Sequence, residues 1–161
     1  MNSRERFTKA MNHEPTDRVL VDMGKQVGSL HKFEYQKLYE YLGEPNWMQN
    51  HGVILDKMAQ TIVPDEQLLK QFGVDFRWLI PHWTGVKPFE EKGRTGYYDM
   101  WGTTFSEMED YFAITATPLK EGTLEELEDH PWPDPDDPAM FAGLREQAKD
   151  LYENSSCVIG A

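Results

Sequence analysis

Apolar and polar positions alternate along this chain with two periods, and the changes from one to the other mark out its elements. Phe7, Ala10 and Met11 recur at helical spacing behind Ser3, which predicts a capped helix over residues 4–11 that Pro15 ends. Val19-Leu20-Val21 is a short apolar run closed by Asp22 and by Gly24-Lys25-Gln26-Val27-Gly28, the pattern of a buried strand opening into a loop. Tyr35, Leu38, Tyr39 and Leu42 share one helical face, and Gly43 with Pro45 gives the stop signal. Residues 53–61 predict another short helix, with Ile54, Leu55 and Met58 on one side. Asp65 offers an N-cap to the stripe Leu68, Leu69 and Phe72, which Gly73 ends. The run from Val74 to Ile80 then alternates strictly. Val74, Phe76, Trp78 and Ile80 fall on one side and Asp75, Arg77 and Leu79 on the other, so a polar pair must meet water or hydrogen-bond partners.

Between residues 83 and 122 the pattern changes to turn signals at Gly85, Pro88, Gly93 and Gly96 around two aromatic, β-branched stretches, Tyr97 to Phe105 and Tyr111 to Thr117. An antiparallel excursion is predicted there. Thr123 and Glu126 form a capping-box pattern for a short helix cut off by Pro131. Asp137 and Pro138 open a longer one, with Phe141, Leu144, Ala148 and Leu151 toward a core. Val158-Ile159-Gly160 reads as one more buried strand just before the sequence ends. Three parallel-type strands, each followed by a helix, predict an α/β domain whose polar residues at strand ends mark the place for a site. A closed (β/α)8 barrel needs eight strands and about 250 residues. The expectation is therefore a single, incomplete barrel domain over 1–161, which leaves apolar edges to be covered by a missing C-terminal half or by a second copy.

Charge and composition narrow the partners. Twenty-eight acidic residues against sixteen basic ones give a net charge of −12, which argues against nucleic acid and anionic membrane as partners. The lone Cys157 has no internal disulfide partner, and the N-terminal residues lack the apolar core of a signal peptide, so the cytoplasm is the expected compartment. One cysteine and five scattered histidines offer no ligand-like spacing, so no metal is expected within this chain.

Three stretches, SRERFTKAMNHEPTDRVLVDMG, DEQLLKQFGVDFRWLIP, and YYDMWGTTF followed by TLEELEDHPWPDPDDPAMFAGLREQA, occur in an order that resembles the uroporphyrinogen decarboxylase superfamily. The resemblance covers nearly all of the chain and is closer to the corrinoid-linked methyltransferases of that superfamily. It implies the N-terminal part of a (β/α)8 barrel. It also implies a full-length parent that moves a methyl group between a small methylated compound and a cobalamin-carrying corrinoid protein. The zinc of those methyltransferases is held by a His-x-Cys pair and a further Cys in the C-terminal half, which this sequence lacks, so the chain alone is expected to be inactive. The alternatives are decarboxylation of a porphyrinogen and a noncatalytic fragment or binding module. The decarboxylase proper carries an arginine-rich stretch in the loop after its first strand. Here that loop is Gly24-Lys25-Gln26-Val27-Gly28, whose one lysine does not reproduce two bidentate guanidinium clamps.

The candidate substrate-binding residues follow from placement, and no catalytic residue is assigned. Asp22 and Gln26 stand where the first strand emerges, where they contact substrate or order the loop, or where the Asp simply caps its own turn. Asp75 and Arg77, two apart on a strand, either pair with each other or serve a site. His82 follows the strand end at Pro81 as a proton carrier or as a plain loop residue. Asp99 and Trp101 either lie over a flat substrate or pack and turn the hairpin. The PDPDDP stretch is a solvated turn with a helix N-cap, since it lacks the glycine and terminal glutamate of a calcium loop.

Overall fold

The computed structural model of the chain describes residues 1–25, 28–47, 52–91 and 93–161. It divides into two compact units, one of residues Met1–Asp56, Thr61–Ile80 and Gly143–Ala161, the other of Lys57–Gln60 and Pro81–Ala142.

In the first unit, helix α1 (Ser3–Met11) is capped by Asn2 rather than by Ser3. The Asn2 side chain accepts the Glu5 N–H at 2.9 Å, and Glu5 returns a bond to the Asn2 N–H at 3.0 Å, so two orphan amides are satisfied reciprocally. Helix α2 (Lys32–Tyr41) buries Tyr35 and Tyr39. Residues 53–61 do not form the expected helix: β1 (Ile54–Asp56) pairs antiparallel with β2 (Thr61–Ile62). The β-branched residues at 53, 54 and 61–63 prefer that extended state, which outweighs the helical spacing of three apolar residues. Helix α3 (Glu66–Gln71) starts at the Asp65 cap, whose carboxylate accepts the Leu68 N–H at 3.0 Å. Its Leu68 joins the core of Tyr35, Tyr39, Trp47 and Ile62, and Leu69 is buried as well.

Strand β3 (Phe76–Trp78) follows, and its parallel partner in this unit is the C-terminal strand Val158–Gly160. The second unit holds β4 (Lys87–Glu91), β5 (Arg94–Tyr98), β6 (Thr104–Glu107) and β7 (Phe112–Ala116) in one antiparallel sheet of that order. Tyr97 and Phe105 stack at 4.7 Å on its buried face. Helix α4 (Leu124–Glu128) forms with the capping box of Thr123 and Glu126 in place. Residues 138–141 make a 3-10 turn, and Gly143 at φ 76 delays the last helix, α5 (Leu144–Asn154), which leaves Phe141 exposed. The C-terminal strand is β8.

These sheets correct the expected fold class, the N-terminal part of a (β/α)8 barrel. Parallel pairing among the described residues is confined to β3 with β8, and the other strands sit in antiparallel pairs or in the four-stranded antiparallel sheet. The segment Val19–Val21 is not a ladder strand. The Asp75 N–H donates to the Val21 carbonyl at 2.8 Å, but the Val21 N–H is taken at 2.9 Å by the Asp75 carboxylate, and Val19 is 78 % exposed. A side chain thus occupies the donor that a strand would give to a backbone partner. Among the described residues, no helix is long and apolar enough to cross a membrane.

Candidate functional site

Asp75 is fully buried, and the chain has gathered donors around it. Ser3 Oγ donates at 2.7 Å, Arg6 Nη1 at 2.6 Å, Arg18 at 2.6 and 2.9 Å, and the Val21 N–H at 2.9 Å. Arg6 also grips Asp17 through two nitrogens at 2.7 and 2.9 Å, and Arg18 reaches the Gly73 carbonyl at 2.9 Å. Burial pushes the Asp75 carboxyl up, but the bonds from Arg18, Ser3 and Val21 outweigh it and hold the group down at about 2. Asp17 is held far below the usual carboxylate range, first by its hydrogen bonds to Arg6, and Arg6 is raised in return by Asp17. Every acceptor position of Asp75 is spoken for, which makes it the tie between the N-terminal segment and β3. It is not open to substrate.

Arg77 does not pair with Asp75, contrary to one reading of their spacing. Its Nε and Nη2 bind Glu66 at 2.8 and 3.2 Å, and its Nη1 donates to the carbonyls of Val74 and Phe76 at 3.1 and 2.7 Å. The hydrogen bonds from Arg77, aided by Lys70, keep Glu66 below the ordinary glutamate range. Here β3 turns its polar residues toward cations and anions on neighbouring elements, so residues two apart find separate partners.

Along β3 opens a cavity of about 200 Å³. Asp22, Glu66, Arg77 and Gln147 supply its polar wall, while Phe76, Trp78, Leu69 and Leu151 are among its apolar lining. The Trp78 indole N–H donates to both oxygens of Asp22, at 3.0 and 3.3 Å, and the Lys25 ammonium lies 5.4 Å from the centroid of the Trp78 ring. Two glycines make room for the indole. A Cβ on Gly24 would stand 2.2 Å from Trp78 Cδ1, and one on Gly160 would stand 2.4 Å from Cζ3. Either Gly24→Ala or Gly160→Ala is expected to displace the ring from Asp22, to change the near-ultraviolet dichroism and to destabilise the protein by about 1–3 kcal/mol. Gly28→Ala, with nothing within 4 Å of its added carbon, is the control that leaves both unchanged.

No family model, no curated protein and no solved structure matches this chain.

Of the residues singled out from sequence, Asp22 and Arg77 line this cavity, and Asp75 belongs to the buried arginine cluster. Gln26 lies outside the described residues. His82, Asp99 and Trp101 belong to the other unit. His82 is exposed and its backbone N–H donates to the Met140 carbonyl at 2.8 Å. Asp99 accepts the backbone N–H groups of Trp101 and Thr103 at 2.9 and 2.8 Å, a turn-forming role, and Trp101 packs edge-on against Trp83 at 5.4 Å. Sequence reasoning passed over Trp78, Glu66, Gly24, Arg6 and Arg18. An aromatic residue on a strand reads as core, and charges far apart in sequence carry no local pattern that joins them.

The zinc implied by the family resemblance finds no fit among these residues. Cys157 is buried with its Sγ 2.8 Å from Ser155 Oγ, and among the described residues no three His, Cys, Asp or Glu side chains gather as ligands. What the cavity can do is seat a small molecule between an apolar wall, a carboxylate and an indole.

Proposed function

We propose that this chain acts, as a protein of the uroporphyrinogen decarboxylase family, in methyl transfer between a small methylated compound and a corrinoid protein, and that its own part is to seat the methylated substrate. The cavity beside Trp78 carries this reading. It is small, and its arginine is committed to Glu66 and to two carbonyls, whereas a porphyrinogen needs space and several free bidentate cations for its many carboxylates. The residues of this chain bind and orient the substrate and keep water from its apolar side. Any zinc chemistry belongs to other polypeptide. A cytoplasmic setting is part of the proposal, since a single unpaired thiol is ordinary there.

The test supplements this chain with polypeptide bearing the His-x-Cys pair and follows the visible spectrum of a corrinoid protein as it gains or loses a methyl group. The expected result is turnover that depends on this chain and falls on the order of a hundredfold in Asp22→Asn, as for a substrate held out of line. Loss of carbon dioxide from a porphyrinogen without methyl transfer overturns the proposal in favour of the decarboxylase. Neither activity, together with firm binding to another protein, overturns it in favour of a noncatalytic module.

A further inference from the structure

The charges around the cavity are unevenly paired. Glu66 is neutralised by Arg77, with Lys70 at 3.4 Å as a second cation, but among the described residues no Lys, Arg or His forms an ion pair with Asp22. It accepts instead from the neutral indole of Trp78. The lining therefore presents, among the described residues, a carboxylate held in no ion pair against a wall of Phe76, Trp78, Leu69, Leu151 and other apolar side chains. A carboxylate beside an indole, next to apolar surface, attracts a cation that is itself clad in carbon: the ring quadrupole and the carboxylate act on the charge while methyl groups fill the apolar space. The chain already places a cation there, since the Lys25 ammonium stands over the Trp78 ring. An ammonium tethered at that distance marks the ring as accessible to positive charge and competes for it.

We infer that this cavity binds a small alkylammonium compound, with Asp22 as the counter-charge, Trp78 as the cation–π face and Lys25 as the internal competitor that the ligand displaces. The inference rests on the substrate-seating role proposed above and names the chemical class of that substrate.

Choline and its uncharged isostere 3,3-dimethylbutan-1-ol make the decisive pair of probes, with acetate as an anion. Binding is read from the indole N–H resonance that vanishes in Trp78→Phe. Choline is expected to shift that resonance saturably and to bind about tenfold or more tightly than the isostere, the size of a partly desolvated cation–π contact with its counter-charge. Asp22→Asn removes the preference for charge, and Lys25→Gln tightens choline binding several-fold. That gain is a direction which damage to the fold would not produce. Equal binding of choline and the isostere, preference for acetate, or weaker choline binding in Lys25→Gln each overturn the inference. The methyl-transfer assay separates the two levels. Transfer from an uncharged methylated compound, with no binding of choline, defeats the alkylammonium inference and leaves the methyl-transfer proposal standing. Charge-selective binding of choline, with no methyl transfer from any donor, does the reverse.

Discussion

Asp75→Asn loses about 3–5 kcal/mol of folding stability, the cost of breaking the ion pairs and hydrogen bonds of a fully buried carboxylate. The substitution keeps the shape of the side chain and removes its charge. It also turns one of the two oxygens into a donor that faces other donors: Arg18 and Arg6 approach both sides at 2.6 Å, and Ser3 and the Val21 N–H add to them. Arg6 retains Asp17 and Arg18 is partly solvated, so the loss is felt most in the ties that Asp75 makes to Arg18 and to the Val21 N–H. Urea unfolding followed by tryptophan fluorescence measures the loss. Glu66→Gln, which breaks a half-exposed pair with Arg77, changes stability by at most about 1 kcal/mol and serves as the contrast. An Asp75→Asn protein with the parent midpoint contradicts the account.

The same carboxylate fixes a pH dependence. Its folded pKa of about 2 lies below the ordinary value of 3.8, so at intermediate pH the unfolded chain binds more protons than the folded one, and stability rises with pH through that window. The Asp75 contribution is fully present above about pH 4 and is lost as pH falls toward 2. Asp17 and Glu66, also depressed by arginine partners, extend the loss in the same direction. In Asp75→Asn the acid limb of the stability curve flattens.

Local chemistry was legible in the sequence where it is decided locally. The Asp65 N-cap, the Thr123–Glu126 capping box and the turn-forming Asp99 each involve partners within a few residues, and residue type with spacing identifies them. The paired strands β3 and β8 each occupy an apolar run seen in the sequence, yet their neighbours were not legible. Hydropathy read Val19–Val21 as a buried strand because it records residue type and not solvent. In the fold, the Asp75 side chain claims Val21's amide and Val19 faces water. The barrel expectation failed from the same cause, since a count of strand-like runs does not say which runs pair. Asp22 could be placed at a site because polar residues at strand ends often serve one. Trp78 could not, because its use as a polar and π-face partner depends on Gly24 and Gly160, which lie 54 residues below it and 82 above it in the chain.

The second large effect is at Trp47. Its indole lies parallel to the Tyr39 ring, with centroids 4.3 Å apart and planes at 10°, and it meets Tyr35 at 4.9 Å, while Tyr35 and Tyr39 stack at 5.5 Å. Both phenols turn to Asp65: Tyr35 donates at 3.4 Å, Tyr39 donates to the same oxygen, and the Asp65 N–H donates back to the Tyr35 hydroxyl at 3.1 Å. The aromatic stack thus closes over the residue that caps α3. Trp47→Ala opens a void in this core and loses about 3–5 kcal/mol, whereas Trp47→Phe keeps a stacked ring and recovers much of it. Titration gives an independent reading. Burial, with the Asp65 carboxylate close by, pushes both tyrosine pKa values well above the usual 10.0. A raised acid contributes stability that is complete below its unfolded pKa and is lost as pH rises beyond it, so the parent protein weakens above about pH 10. Its Tyr35 and Tyr39 ionise last, as the protein unfolds. In Trp47→Ala water reaches the Tyr39 ring, and tyrosinate absorbance rises at lower pH than in the parent. If the alkaline titration of Trp47→Ala overlays that of the parent, the stack does not shield Tyr39 from water.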